Sequence, residues 1–340
     1  MPKCRPSLRF IGMLAVVSLS VSSAFAQHDS TSGTAGGGSL GPAKPKTTTK
    51  PTTTRTTTTS PRRTTTPTTT TTPRRTTTTT PTTTTPRTTT PNAESYEKQA
   101  DGQYDEKNYD DALQGYLKVL QMNPSSAHSN YRIGWIYNDK EQFQQALTYL
   151  NRSLQLDSTS AAAQFERGYA YKKLEQYPQA LAAYQQAIAL KNDYAAAYYD
   201  MGWIYNEQKN YDDAILNLKQ ALKFKADYAD AHNELGYAYH KNGRQTEAIE
   251  EYREAIRLRP NSAGYHNGLG DVYYNTRQYA LAINSYKEAA RIDPNNGQAH
   301  YNLALSYYAM NNRSAALEEY RILQRIDPER ATKLFNAINK

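Results

Sequence analysis

Small and apolar side chains return at a fixed interval along most of this chain. Ala112, Ala146, Ala180, Ala214, Ala248, Ala282 and Ala316 recur at one constant step. Gly134, Gly168, Gly202, Gly236 and Gly270 keep the same step, extended by Ala100 and Ala304. Tyr116, Leu150, Tyr184, Leu218, Tyr252, Tyr286 and Tyr320 form a third series. Within a period the pattern is that of two amphipathic helices. Ile133, Ile136 and Tyr137 share one stripe; after the polar break at Asp139-Lys140-Glu141, Phe143, Ala146, Leu147, Leu150 and Leu154 share another. The spacing predicts a helix A and a helix B per unit. Small residues at the glycine and alanine series would let the two axes approach closely. Pro124, Pro260, Pro294 and Pro328 mark the end of helix B and the turn into the next unit. Seven units then fill 93–126, 127–160, 161–194, 195–228, 229–262, 263–296 and 297–330.

One such unit cannot bury its own apolar face, so stacking must supply the stability and the two ends must differ from the middle. Unit one carries Glu97 and Asp101 where units two to four carry aromatic residues, and adds Asp105 in the same helix. Beyond Pro328, Ala331, Leu334, Phe335 and Ile338 recur at helical spacing, which predicts a cap helix over Glu329–Asn339, filling the 331–340 remainder.

The order small residue, aromatic three later, Ala twelve later, aromatic four after that, then Pro is carried in the fifth unit by Gly236, Tyr239, Ala248, Tyr252 and Pro260. In this the chain resembles the tetratricopeptide repeat family, whose helix-turn-helix unit is about 34 residues long. Ser158, Asn192 and Ala226 stand where the family has its terminal Pro, Gln103 where it has a Tyr, and Gln245 and Arg313 where an aromatic recurs. The resemblance implies an all-α, right-handed solenoid whose A helices line a concave groove, with a peptide or partner protein as the bound species. The expectation from the residues themselves is no cofactor and no catalysis. The family's carboxylate clamp needs Lys at position 5 and Asn at position 9 of a unit, and no unit has that pair.

Packing explains the repeating positions, so candidate binding residues are sought at positions 5, 9 and 12 of helix A, which share one face. Units two to five present there an aromatic stripe of Tyr131, Trp135, Phe165, Tyr169, Tyr199, Trp203 and Tyr237, containing both tryptophans of the chain. Beside it runs a polar row of Asn138, Lys172, Asn206 and His240. Rigid rings flanked by amide and charged groups suit partner recognition; the competing reading is packing between repeats. His232, His266 and His300 share position 4 of successive units, on the order of 10 Å apart. Ligands of one metal lie about 2 Å from it, so the series reads as an echo of the repeat. No nucleophile, phosphate loop or metal motif stands out.

The amino-terminal part is different material. Lys3, Arg5 and Arg9, an apolar run from Phe10 to Val21 and the ending Ala24-Phe25-Ala26 read as a signal peptide over 1–26. The run is short for a membrane span. Cleavage would remove Cys4, the one cysteine, and leave stability to packing. Residues 27–92 read as a disordered Thr/Pro/Arg-rich linker with Pro61-Arg62-Arg63, Pro73-Arg74-Arg75 and Pro86-Arg87, a spacer or an O-glycosylated stalk. Asn151-Arg152-Ser153 and Asn312-Arg313-Ser314 fit the short N-glycan pattern. The linker holds nine Lys/Arg and one Asp, a charge of +8; with +3 on residues 1–26 and +8 on the whole, residues 93–340 carry 8 − 8 − 3 = −3. The linker has no aromatic residue to stack on a base, which argues against nucleic acid. The expectation is therefore an exported scaffold (periplasmic, cell-surface or secreted) that is not an integral membrane protein once the signal is removed. The alternatives are a self-assembling structural protein of the surface or envelope, and a glycan- or cell-wall-binding module.

Overall fold

The computed structural model describes residues 92–338. The signal-peptide expectation, and the linker expectation up to residue 91, lie outside the described residues. Seven helix pairs follow in order: α1 (Ala93–Asp105) and α2 (Tyr109–Met122), α3 (Ala127–Asp139) and α4 (Phe143–Leu156), α5 (Ala161–Lys173) and α6 (Tyr177–Leu190), α7 (Ala195–Glu207) and α8 (Tyr211–Phe224), α9 (Ala229–Lys241) and α10 (Gln245–Leu258), α11 (Ala263–Asn275) and α12 (Tyr279–Ile292), α13 (Gly297–Ala309) and α14 (Arg313–Ile326). A last helix, α15, spans Pro328–Ile338. The chain is an all-α solenoid. Among the described residues, no helix is long and apolar enough to cross a membrane.

Local chemistry sets the helix ends. Asn92, Ser126, Ser160 and Asn296 accept a backbone N–H from the first turn of α1, α3, α5 and α13. Each helix pair is joined by a residue in the left-handed region: Lys107, Glu141, Glu175, Lys209, Gly243, Arg277 and Asn311, with φ of 57–79°. A single left-handed residue reverses the chain within a short turn and so fixes the A–B angle alike in every unit. Only one of these positions is a glycine, so the others carry backbone strain of about 1 kcal/mol each. Pro328 does more than end α14: it opens α15, where its missing N–H goes unused.

The small-residue series meets the third series. A Cβ built on Gly134 would lie 2.5 Å from Leu150 Cγ; on Gly168, 2.7 Å from Tyr184; on Gly202, 2.5 Å from Leu218; and on Gly270, 2.6 Å from Tyr286. The side chains that fill these hollows, Tyr116, Leu150, Tyr184, Leu218, Tyr252 and Tyr286, are buried. Each helix packs on the next in sequence, and α3, α5, α7, α9, α11 and α13 also pack on one another in a row. Among the described residues the B helices have no comparable row, so the A helices form the tighter, inner side. α15 packs on α13 and α14, burying Ala331 and Leu334 while Phe335 stays half exposed against Tyr320.

Candidate binding face on the A helices

The A-helix face is organised by contacts between neighbouring units. Position 12 of one unit meets position 6 of the next. Asn138 donates its amide to the carbonyl and to Oε2 of Glu166, both at 2.9 Å. Lys172 pairs with Asp200 at 2.5 Å. Asn206 donates to the carbonyl of Glu234 at 3.1 Å and to its Oε2 at 2.9 Å. At the first junction the Arg132 guanidinium lies 4.1 Å from the Tyr104 ring centroid. At the fifth junction position 6 is Gly268, and His240 instead meets Gln245 at 2.7 Å and Asn275 at 2.9 Å. Gly268 is small because the Tyr252 hydroxyl end fills the space a Cβ would need. Asn138, Asn206 and His240 are buried, and the Lys172 side chain is 13% exposed. The polar row thus fastens unit to unit.

The rings form a second ladder. At position 9, Trp135, Tyr169, Trp203 and Tyr237 each meet edge-on the ring that opens the preceding B helix: Tyr109 at 5.1 Å, and Phe143, Tyr177 and Tyr211 at 6.3 Å. At position 5, Phe165 stacks on Tyr194 at 4.9 Å and Tyr199 lies against Tyr228 at 4.8 Å. Trp135 is only 4% exposed, because Tyr104 also covers it edge-on at 4.9 Å. Tyr131, Phe165, Tyr169, Tyr199, Trp203 and Tyr237 are partly buried and retain solvent contact. Over Trp203 the place taken by Tyr104 in unit one belongs to Lys172, whose Nζ stands 5.2 Å from the indole and 5.4 Å from Tyr169. Phe143, Tyr177, Tyr211, Tyr194 and Tyr228 were not among the sequence candidates. The first three are legible as an aromatic series at the repeat step; Tyr194 and Tyr228 occupy helix N-cap positions where other units have Ser or Asn.

Electrostatically, the face combines rings with carboxylates. Burial first, then the charges of Asp200, Glu166, Glu141 and Asp139, raise the Tyr169 hydroxyl to about 12. Burial followed by Glu234 raises Tyr199, and burial followed by Tyr211, Glu234 and Glu207 raises Tyr237. Burial holds His240 below its ordinary value, against its Gln245 hydrogen bond.

Two acids of unit one, Glu97 and Asp101, are structural. Glu97 accepts the hydroxyls of Ser126 at 2.7 Å and Ser129 at 2.6 Å, and Asp101 accepts that of Tyr116 at 2.6 Å. The position-4 histidines also serve the repeat: His232 meets Glu251 and His300 meets Glu319, each at 2.6 Å, and all three reach a carbonyl six residues back. Among the described residues no group of three or more His, Cys, Asp or Glu side chains is placed to hold a metal ion.

Family models described as TPR repeat match residues 168–208, 202–243, 237–276 and 278–311, and models described as Tetratricopeptide repeat match 97–161 and 298–330. Among solved structures, a MamA protein is 29% identical over 51% of this chain and 94% of its own, with a TM-score of 0.45. Pseudomonas aeruginosa PilF is 22% identical over 62% of this chain and 96% of its own, with a TM-score of 0.54. The C-terminal part of a TPR repeat-containing protein from Cytophaga hutchinsonii is 18% identical over 70% and 98%, with a TM-score of 0.56. The last two share the fold. No curated protein matches the chain.

Proposed function

Because the chain belongs to the tetratricopeptide repeat family, we propose that it is an exported interaction scaffold, holding a peptide or partner protein along the A-helix face of units three to five. One observation carries this reading. Phe165, Tyr169, Tyr199, Trp203 and Tyr237 keep solvent contact on consecutive A helices, while the polar groups beside them are engaged in unit-to-unit fastening. Large rings left part-covered in a row gain most from a further surface: completing the burial of each contributes about 1 kcal/mol. They are rigid, so little entropy is lost on binding. The basic start, apolar run and Ala24-Phe25-Ala26 ending support export, and residues 27–92 would then serve as a tether.

The test uses the full chain as bait in its native host. Trp203→Ala and Tyr169→Ala are expected to lower partner capture at least tenfold with the helical circular-dichroism spectrum unchanged. Trp135→Ala serves as the contrast, acting through stability. Capture that survives both Trp203→Ala and Tyr169→Ala refutes the face as contact surface. Sequencing of the exported form should begin at Gln27.

A further inference from the structure

Three Asn-Gly steps occur in the chain: Asn242-Gly243, Asn267-Gly268 and Asn296-Gly297. Asparagine is a labile side chain. A following glycine lets its own backbone nitrogen reach the asparagine carboxamide, because no Cβ stands in the way. The fold treats the three steps differently.

Asn267-Gly268 lies inside α11, where the peptide cannot turn without breaking the helix. The Asn267 Oδ1 is buried, and the Tyr252 ring crowds Gly268. Asn296-Gly297 opens α13. There the Asn296 Oδ1 accepts the Ala299 N–H at 2.9 Å, and a Cβ on Gly297 would lie 2.7 Å from the Asp327 carboxylate. A carboxylate so near also opposes loss of the Gly297 amide proton.

Asn242-Gly243 has neither restraint. Both residues are exposed in the turn between α9 and α10, with nothing within 4 Å of the place a Gly243 Cβ would take. Among the described residues, this turn alone has glycine at its left-handed position, and it alone has asparagine just before. The bonds that must open are those of Gly243 N–H to the His240 carbonyl at 3.2 Å and Arg244 N–H to the Tyr239 carbonyl at 2.9 Å, with the surface bond of Asn242 Nδ2 to Asp212 at 2.8 Å. Exposed turns open in this way while the helices beside them stay formed.

We propose that Asn242 is a site of spontaneous deamidation that marks the age of the molecule and loosens the seam between units four and five. The Gly243 nitrogen, giving its proton to solvent, bonds to Asn242 Cγ; the Cγ–Nδ2 bond breaks, and ammonia leaves with a proton taken from water. Water then opens the cyclic imide at either carbonyl. The product is aspartate or, with the chain rerouted through the side chain, isoaspartate. Either one puts a carboxylate where an amide donated to Asp212, so like charges face each other across the seam. The same register pairs Lys140 with Asp110 between units one and two. Isoaspartate also lengthens the turn by one carbon and misplaces its left-handed residue. The site stands whether or not the A-helix face holds a partner.

The test holds the full chain at physiological temperature and mildly alkaline pH, natively and in urea, and follows each Asn-Gly step by peptide mass spectrometry. In urea the three should convert at comparable rates. In the native chain Asn242 should convert first, while Asn267 stays an amide. Gly243→Lys gives this turn the residue that units one and four have there, Lys107 and Lys209. It should slow conversion of Asn242 even though left-handed lysine is strained, whereas mere destabilisation of the turn would speed it. The aged form, separated by its added negative charge, should melt below an Asn242→Asp chain, which carries the charge without the rerouted backbone, and both should melt below the fresh chain. Native conversion of Asn267 or Asn296 as fast as Asn242, the native ranking persisting in urea, undiminished conversion in Gly243→Lys, or an aged form that melts with the fresh chain overturns the proposal.

Discussion

The Lys172–Asp200 pair offers the sharpest check on how the units are held together. Both side chains are largely out of water, at 13% and 7% exposure, and they are 2.5 Å apart. Replacing Lys172 by Met keeps the aliphatic bulk but leaves the Asp200 carboxylate without its cation. Removing one partner of a buried pair costs about 3–5 kcal/mol. The lower end applies, because the outer part of Lys172 touches solvent. For an array of this size each kcal/mol lowers the midpoint by about 2–4 °C, so Lys172→Met should lower Tm by about 6–12 °C. Asp200→Leu should cost less, since a long lysine stem can turn its head to water. The decisive variant is Lys172→Asn with Asp200→Glu. It rebuilds at this junction the Asn–Glu arrangement found on either side, at Asn138–Glu166 and Asn206–Glu234. It should recover to within about 1 kcal/mol of the natural chain, well above either single change. Thermal unfolding followed by circular dichroism and calorimetry reads all four proteins. A Tm for Lys172→Met within about 2 °C of the natural chain, or a double variant no better than the single one, would refute the fastening role.

Further expectations concern packing, turns and pH. Gly202→Ala drives a methyl to 2.5 Å from Leu218 and should destabilise by about 1–3 kcal/mol, whereas Gly102→Ala, with nothing within 4 Å, should stabilise by up to about 1 kcal/mol in a urea titration. Glu141→Gly and Lys209→Gly relieve left-handed backbone at φ 58° and 59° and should each raise Tm by about 1–3 °C, while Gly243→Ala at φ 79° should lower it. The histidines titrate with opposite signs. His300 is raised by its Glu319 hydrogen bond, and His232 is raised because its Glu251 and Ala226 hydrogen bonds outweigh burial. Their contribution is full below the ordinary value of 6.5 and is lost as pH climbs through the raised folded values. His240, lowered by burial, contributes above 6.5 and loses that contribution as pH falls through its depressed value. Tm against pH should therefore flatten just above 6.5 in Glu251→Gln with Glu319→Gln, and just below 6.5 in His240→Gln; curves unchanged there by these substitutions would contradict the assignments.

The repeat, its two helices and the glycine-to-Leu150 or Tyr184 contacts were legible because each is local to one unit and returns in the next. The division of labour on the A-helix face was not. Helical periodicity places Trp135 and Trp203 on the same face, and nothing in that period says what the previous unit lays over them. Trp135 is covered because unit one has Tyr104 at position 12; Trp203 is left more open because unit three has Lys172 there. Asn138 and Asn206 looked like recognition groups because their partners, Glu166 and Glu234, lie 28 residues away, a separation that matches neither a helix turn nor the repeat. Comparing position 12 with position 6 of the following unit would have exposed the relation.

Asn–Glu, Lys–Asp and Asn–Glu fastenings in alternation give the middle of the array a grain two units wide. Units two and four share tryptophan and leucine at matching places, units three and five share tyrosines, and the interchangeable block is a pair of units. Excising 161–228 would bring Asn138 opposite Glu234 and leave the seam in kind. Excising 161–194 alone would set Asn138 against the shorter Asp200, and excising 195–228 would set Lys172 against the longer Glu234. Lengthening or shortening this protein by pairs should therefore be tolerated where single-unit steps are not.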